Sequence, residues 1–491
     1  MPSPGSSTGG GCSGSCGSGR ETTSRPSETL TEPASFRDPD SKVFYAGGAV
    51  FRALSASGLA DWTAFAATRL FRDETARGRI VATEEVAPSE LAPELEGQWA
   101  GLLRHERVPL VSYPYEWPFG MLKDATLLQL ELLEAALDED MTLKDASPYN
   151  VQWRGSRPVF VDVGSFERLR PGEPWAGYRQ LCTLSLYPLM LQAYKGVPFQ
   201  PWLRGRIDGI DPADARAAMS ARDLLRPGVF THVALHSRLE RRYADRRRDV
   251  KRELRAAGFG KELIKANARR LAKLVRRLEW TPPRSEWSGY ADAAPYTAAD
   301  AARKAAFVHM ALVARKPRLV WDLGANEGVY SRLAAQAGAY VVAADADHAV
   351  VERLYRALAA EGSDRVLPLV VDVADPSPGL GWRGVERRRL DDRGRPELTL
   401  CLALLHHLAI TRNVPVRDVL GWLRSLETSL VVEFATRDDP MVQRLLAPKR
   451  EGLHDDYRRE AFERRLAEAF SVERSEELAS GTRVLYLAHP R

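Results

Sequence analysis

The chain has 491 residues, which is too long for a single ordinary hydrophobic core, so we expect two or three domains. Its hydrophobic fraction of 44% and charged fraction of 27% are typical of a soluble globular protein. The net charge of +5, from 70 basic and 65 acidic residues, is too small to indicate a nucleic-acid-binding protein by itself.

The four cysteines show no metal-binding pattern. Cys12 and Cys16 have no further Cys or His near them, while Cys182 and Cys401 lie in apolar runs, as small buried residues in a reducing compartment do. No run approaches the roughly 18 apolar residues that a transmembrane helix needs, and the N-terminus lacks an apolar signal region. We therefore expect a cytoplasmic protein with no bound metal and no membrane partner.

The first 40 residues form a tail rich in Gly, Ser, Thr and Pro, which cannot bury enough surface to offset its ordering entropy, so we expect it to be disordered. Residues 41–235 are predicted to be an α+β domain that opens with a strand, a Gly-Gly turn and a second strand. Within this domain, residues 60–105 have helical spacing and Val108–Ser112 resembles a strand. Met121–Leu137 has the wide apolar face of a buried helix.

Residues 236–284 are predicted to be a basic helical connector. Basic side chains lie among few acids over Arg238–Arg277, with Leu and Val at helical intervals. A pair of solvated helices explains this pattern, and a surface for an anionic partner is the alternative. Aromatic residues are sparse in the segment, which disfavours single-stranded nucleic acid as that partner.

Residues 285–491 alternate short apolar runs with helical stretches, which predicts a doubly wound α/β sheet. The predicted strands of this sheet are Leu319–Leu323, Tyr340–Ala344, Val366–Val371, Leu398–Leu404 and Leu430–Phe434. Two further segments predict a terminal β-hairpin, Phe470–Arg474 and Thr482–Ala488.

The most specific motif is the turn after the first of these strands, in Val320–Tyr330 (VWDLGANEGVY). Gly324 and Gly328 allow the backbone to bend tightly beside a ligand. A dinucleotide-binding turn needs a further glycine where this chain has Asn326, and nearby acids such as Asp322 would repel a phosphate. The turn therefore favours a ligand that has a cationic end and no phosphate.

This turn, DLGANEG, resembles the first motif of class I methyltransferases that use S-adenosylmethionine (SAM), D/E-x-G-x-x-x-G. The next two strands end in acids, where that family binds the ribose hydroxyls and places an acid near the adenine amino group. The resemblance implies a Rossmann-like domain with SAM as cofactor, bound by Asp322, Gly324, Asn326, Gly328, Asp345 and Asp372. The alternative interpretation is that residues 322–328 form an ordinary strand-to-helix turn. In that case Asp345, or equally Asp347, serves as the N-cap of the following helix.

The segment after the fourth strand, Leu402–Ile410 (LALLHHLAI), resembles the substrate edge of small-molecule methyltransferases. The resemblance implies that His406 or His407 acts as a general base toward a hydroxyl or amine, and we place His406 first. Glu433, on the following strand, is expected to orient the substrate or to cap a loop. The implied acceptor is a small molecule, such as a natural product.

A helix before the first strand is expected to cover the cofactor, as in similar enzymes. It carries Lys304 and Phe307, and Tyr290 and Tyr296 precede them, either contacting the methionine end or simply packing. Taken whole, the chain resembles bacterial methyltransferases related to nodulation protein NoeA, whose substrates are uncertain. The alternative function is a non-catalytic protein that binds the same cofactor.

The N-terminal domain contains a second, weaker pattern. Asp145, Asn150 and Asp162 follow the order D-x-x-x-x-N and then D-x-G, which resembles the catalytic core of protein kinases, where they orient the hydroxyl and hold magnesium. No lysine follows Lys42 until the buried helix, and Ala46–Val50 is not a full glycine-rich loop. We therefore expect a degenerate kinase-like domain that positions substrate, with nucleotide binding, phosphorylation or simple loop capping as alternatives.

Overall fold

The computed structural model describes residues 30–87, 99–243, 260–283 and 297–491. Residues 1–29 of the expected disordered tail, together with Tyr290 and Tyr296, lie outside this description. Leu30–Thr31 forms a strand in the first sheet, so part of the predicted tail belongs to the folded N-terminal half.

The N-terminal half begins with a five-stranded antiparallel sheet in the order β1-β2-β3-β5-β4. Its strands are β1 Leu30–Thr31, β2 Ser41–Ala46, β3 Ala49–Leu54, β4 Thr83–Val86 and β5 Gly101–His105. The turn between β2 and β3 contains Gly47 and Gly48, whose φ angles of 55° and 81° suit glycine. Two helices follow β3: α1 Ala56–Ala66 and α2 Arg69–Ala76.

Two sequence predictions in this half are wrong. Residues 60–105 include β4 and β5 as well as helices, because strand β5 is stabilised by pairing with β3 and β4, which lie far away in the sequence. Val108–Ser112 is not a strand. It belongs to the connection between the sheet and helix α3, Phe119–Asp138, which has the buried apolar face that its sequence predicts.

The rest of the N-terminal half is mainly helical, around two short strand pairs. The strands are β6 Met141–Leu143, β7 Val151–Arg154, β8 Arg157–Phe160 and β9 Phe166–Arg168, of which β6 pairs with β9 and β7 with β8. The helices are α4 Tyr178–Leu181, α5 Tyr187–Lys195, α6 Gln200–Gly205, α7 Pro212–Ala218, α8 His236–Tyr243 and α9 Lys261–Arg277. Strands and helices are segregated, which makes this half an α+β unit.

The basic helix α9 packs along the acidic face of α3. Lys261, Lys265, Arg269 and Arg276 form ion pairs with acids at the C-terminal end of the α3 segment. Four basic side chains of α9 are therefore paired within the chain.

The C-terminal half is a seven-stranded sheet in the order β12-β11-β10-β13-β14-β16-β15. The strands are β10 Leu319–Leu323, β11 Tyr340–Asp345, β12 Val366–Val370, β13 Leu398–Cys401, β14 Ser429–Ala435, β15 Phe470–Glu477 and β16 Arg483–Pro490. The first five are parallel and the last two form the predicted antiparallel hairpin. The chain order reverses between β10 and β13, and ligands bind at such a switch point, beyond the carboxyl ends of the strands.

Helices cover both faces of this sheet: α10 Ala298–Arg315, α11 Val329–Gln336, α12 His348–Glu361, α13 Val416–Ser425, α14 Pro440–Leu446 and α15 Arg459–Ala469. Alternate residues of β10 pack into different cores. Val320 contributes to the core that contains α10 residues, whereas Trp321 and Leu323 contribute to the core shared with the N-terminal half. In the described ranges, no helix combines the length and the hydropathy that a membrane crossing requires.

The two halves are joined by buried polar contacts. Glu116 accepts hydrogen bonds from both terminal nitrogens of Arg393 and from Ser377, which lie on the connection between β12 and β13. Glu116 and Arg393 side chains are each only 1% exposed. Glu352 of α12 accepts the backbone N–H of Gly120 at 2.7 Å. These contacts fix the C-terminal half against the N-terminal half.

Candidate functional site

The turn after β10 has the conformation that a close backbone approach requires. Gly324 and Gly328 have φ angles of 75° and 76°, and a Cβ at position 328 would lie 2.7 Å from a Leu354 methyl carbon. Asn326 also has a positive φ, of 48°, which asparagine tolerates better than most residues. Asn326 therefore takes the left-handed conformation for which a dinucleotide turn uses glycine.

Asp345 ends β11 directly beside this turn. Its two carboxylate oxygens accept the backbone N–H groups of Asn326 and Asp347, each at 2.9 Å. Asp347, not Asp345, caps helix α12, since its side chain accepts from Ala349 and Val350. A carboxylate has about four acceptor positions, so Asp345 retains capacity for a ligand with two hydroxyls.

Asp322 lies beneath the turn and is 2% exposed. Its carboxylate accepts a hydrogen bond from Ser331 of α11 at 2.6 Å. Burial raises the pKa of Asp322 to about 6, because a charged carboxylate loses solvation there. The charge of the nearby Lys304 partly offsets this effect of burial.

Asp372 lies two residues beyond β12, at the same edge of the sheet. Val370, the last residue of β12, pairs with Asp345 across the sheet. The Asp372 carboxylate accepts the N–H of Ala374 at 2.9 Å and forms an ion pair with Arg412. The structure therefore brings Asp322, the glycine turn, Asp345 and Asp372 to one edge.

The two predicted histidines differ in their surroundings. His406 is completely buried, and neither of its ring nitrogens has a hydrogen-bond partner among the described residues. His407 opens a π-helical turn, His407–Thr411, and is partly exposed. Burial, with a smaller effect of Arg483, lowers the pKa of His407 to about 4. His407 is thus neutral at pH 7 and only weakly basic.

Glu433 lies inside β14, not at its end, and is fully buried. It forms ion pairs with Lys304 at 2.6 Å and with Arg483 at 2.8 Å. It also accepts the backbone N–H of Ala403, whose φ of 52° is strained for alanine. Glu433 therefore holds the backbone after β13, just ahead of the two histidines.

Two charged residues near the site were not found from the sequence. Arg412 pairs with Asp372, and Arg483 joins Glu433 to Asp439 through buried ion pairs. The sequence contains a signal for Arg483. Glu433 interrupts the apolar run of β14 and Arg483 begins the apolar strand β16, and opposite charges in neighbouring buried strands predict a pair.

A separate cavity of about 710 Å³ lies against the N-terminal half, and Glu386, Arg387, Arg388 and Arg393 of the C-terminal half also line it. The predicted residues Asp145, Asn150 and Asp162 all line it, together with the β2–β3 turn. Arg52 of β3 also lines the cavity and pairs with Asp162 at 2.8 Å. Burial, and then the charge of Asp162, raises the pKa of Asp145. Asp145, Asn150 and Asp162, which the sequence pattern associates, therefore line the same cavity.

No protein-family model matches the chain. Among solved structures, it is similar to magnesium protoporphyrin IX methyltransferase from Synechocystis PCC 6803 with bound SAH, at 20% identity and a TM-score of 0.29, covering 39% of this chain and 83% of that one. A Burkholderia thailandensis 1,6-didemethyltoxoflavin-N1-methyltransferase gives 18% identity and a TM-score of 0.27, covering 41% of this chain and 84% of that one.

Among curated proteins, the chain is similar to nodulation protein NoeA of Rhizobium meliloti (strain 1021). The two share 33% identity over 455 residues, which is 92% of this chain and 94% of that protein. Because the match extends over nearly the whole length of both proteins, the chain belongs to the family of nodulation protein NoeA.

Proposed function

We propose that the C-terminal half is a SAM-dependent methyltransferase that methylates an oxygen or nitrogen of a small molecule. The observation that carries the proposal is the alignment of Asp322, Asp345 and Asp372 at one edge of a doubly wound sheet, around a left-handed glycine turn. The switch point of the sheet lies at this edge.

The residues at this edge fit the chemistry of SAM. Asp345 has acceptor capacity for both ribose hydroxyls, and we propose that Asp372 contacts the adenine amino group. The buried Asp322 gains stability from a nearby cation, such as the amino group of the methionine end. When bound, SAM supplies a methyl group on a sulfonium leaving group, so the protein mainly has to align the acceptor with it.

Within this proposal, His407 rather than His406 acts as the base. A base must exchange its proton with the acceptor, and His406 is enclosed. We expect His407→Ala to lower methyl transfer by about 10²-fold, the lower end of what general bases contribute, because its lowered pKa makes it a weak base. His406→Leu should retain most of the activity. Equal losses in both variants would contradict the assignment.

The decisive experiment measures transfer of label from methyl-labelled SAM into a fractionated cell extract by the full-length protein. We expect a labelled small molecule whose formation requires Asp345. Calorimetry with SAM accompanies it. Saturable SAM binding without any labelled product would instead support a non-catalytic SAM-binding protein, and the absence of SAM binding would exclude both functions.

A second candidate function concerns the N-terminal cavity, and the meeting of Asp145, Asn150 and Asp162 favours it. Two carboxylates and an amide suit a magnesium ion that is carried by a nucleotide. Arg52 offers a cation where the kinase-like pattern lacks a lysine, although its pairing with Asp162 departs from that pattern. We propose that this cavity binds a nucleotide with magnesium.

Thermal unfolding with and without Mg·ATP tests this second candidate. Ligand at about 100 times its dissociation constant stabilises a protein by about 2.7 kcal/mol, which shifts the unfolding temperature by several degrees. We expect such a shift with Mg·ATP, and no shift with magnesium alone or in Asp145→Asn. An unchanged unfolding temperature at millimolar Mg·ATP would exclude nucleotide binding in this cavity.

A further inference from the structure

A second, smaller groove lies between the two halves of the protein, outside the sheet edge discussed above. Its volume is about 380 Å³, which is within the range of small-molecule sites. One wall consists of α6-region residues and Tyr115 from the N-terminal half. The other wall is a tight loop of the C-terminal half, Leu380–Arg387, which we call the 380–387 loop.

The groove is lined by arginines. Arg37, Arg204, Arg383 and Arg387 all face it, and none of the described residues that line it is acidic. Asp375 pairs with Arg204, and Glu386 pairs with both Arg37 and Arg387. Two carboxylates therefore balance four guanidinium groups, which leaves positive charge available to an anion.

The 380–387 loop holds its tip in a strained conformation. Leu380 and Arg387 exchange two backbone hydrogen bonds of 2.9 Å, which close the loop. Arg383, at the tip, has a φ of 56°, and such non-glycine strain concentrates at ligand sites. Trp382 beside it is 63% exposed, although the loop is anchored at both ends.

Aromatic and unsatisfied polar groups complete the lining. Tyr115 is only 4% exposed, and its hydroxyl has no hydrogen-bond partner in the part of the chain that the structure describes. The Arg387 guanidinium lies 4.1 Å from the centre of the Tyr149 ring, and both side chains line the groove. A buried hydroxyl without a partner is costly, so it points to a polar ligand.

We propose that this groove binds a small anionic ligand that carries a phosphate or carboxylate and a ring. The anionic group would pair with Arg383 and Arg387, and the ring would stack on Trp382. Since both halves supply the walls, the site exists only when the halves are docked. The proposal does not depend on methyl transfer at the sheet edge.

Calorimetry of the full-length protein with phenyl phosphate tests the proposal, with benzoate as the carboxylate probe and inorganic phosphate as the ring-free probe. Arg383→Gln and Trp382→Ala are suitable variants because both side chains are exposed and line the groove but not the larger cavity. Arg277→Gln, an exposed arginine on α9, is the matched control.

We expect saturable binding of phenyl phosphate or benzoate, weakened about tenfold by Arg383→Gln and about threefold by Trp382→Ala, and unchanged by Arg277→Gln. The more tightly bound probe identifies the anionic group. Inorganic phosphate should bind more weakly than phenyl phosphate. Equal affinity in wild type and both groove variants, or equal affinity for phosphate and phenyl phosphate, would overturn the proposal.

Discussion

The sheet edge and the interdomain groove carry opposite charge. The edge presents the carboxylates Asp322, Asp345 and Asp372, of which Asp322 is destabilised by burial. The groove presents four arginines and no acidic lining residue within the described ranges. Charge complementarity therefore assigns a ligand with a cationic end to the edge and an anionic ligand to the groove.

One connection belongs to both regions. The chain between β12 and β13 starts with Asp372 at the sheet edge, forms the 380–387 loop of the groove, and then reaches Arg393. Arg393 and Ser377 bind Glu116 of the N-terminal half and so fix this connection at two points. A single anchored segment thus contributes charged residues to both regions.

The largest effect should come from breaking that anchor. Arg393→Met leaves the buried Glu116 without its cation, which costs about 3–5 kcal/mol of unfolding free energy. Urea unfolding measures the loss. Arg395→Met is the control, because the Arg395–Glu427 pair is 72% and 66% exposed and should contribute less than about 1 kcal/mol. Similar losses in both variants would show that the Glu116 contact does not hold the halves together.

A smaller effect, confined to the sheet edge, is expected from Asp345→Ala. We expect SAM affinity to fall at least about 100-fold, or about 2.8 kcal/mol, because both ribose hydroxyls lose their acceptor. Phenyl phosphate binding in the groove should be unchanged. Asp347→Ala is the matched control, since it removes the α12 N-cap at a cost of about 1 kcal/mol in stability. If Asp345→Ala retained its affinity for SAM, the proposal of a SAM site at the sheet edge would be wrong.

The next effect is a pH dependence of SAM affinity, which we expect at the sheet edge because of Asp322. The pKa of Asp322 is about 6 without ligand, and a bound cation favours the ionised carboxylate, so binding releases a proton below pH 6. SAM affinity should therefore rise about tenfold between pH 5 and pH 7. Calorimetry on wild type and Asp322→Asn measures it, and the variant should lack this rise. The same slope in both proteins would assign the pH dependence to another group.

Much of the sheet edge could be predicted from the sequence, because its signals are local. Glycine spacing, the apolar strands and the acids that end β11 and β12 all lie within short segments. The choice between His406 and His407 could not be made this way. It depends on the tertiary packing at the start of the π-helical turn His407–Thr411, where His406 is buried and His407 is partly exposed.

The groove could not be predicted at all, because its parts are distant in the sequence. Arg37 of the groove and its partner Glu386 are 349 residues apart, and nothing in either local sequence predicts the partner of the other. Strand β5 was missed for the same reason, since it exists through pairing with β3 and β4. Non-local contacts decide these features, and only the fold reveals them.

The smallest effect tests a third charged region, helix α9, whose basic residues suggested an anionic partner. Arg276 pairs with Glu131 of α3, and the two side chains are 53% and 38% exposed. We expect Arg276→Gln to change the unfolding free energy by only about 0.2–1 kcal/mol, because solvent and salt screen exposed pairs. A double-mutant cycle with Glu131→Gln at low and high salt isolates the coupling.

Phenyl phosphate binding should be the same in Arg276→Gln as in wild type, because this arginine lies outside the groove. A loss of affinity comparable to that of Arg383→Gln would mean that α9 also attracts the anion. Anion binding would then not be explained by the difference between the paired basic residues of α9 and the incompletely paired arginines of the groove. If Arg276→Gln retains its affinity for phenyl phosphate, the anion binds at the groove, where four arginines share two carboxylates. Helix α9, whose basic side chains pair with the acids of α3, then does not take part in binding.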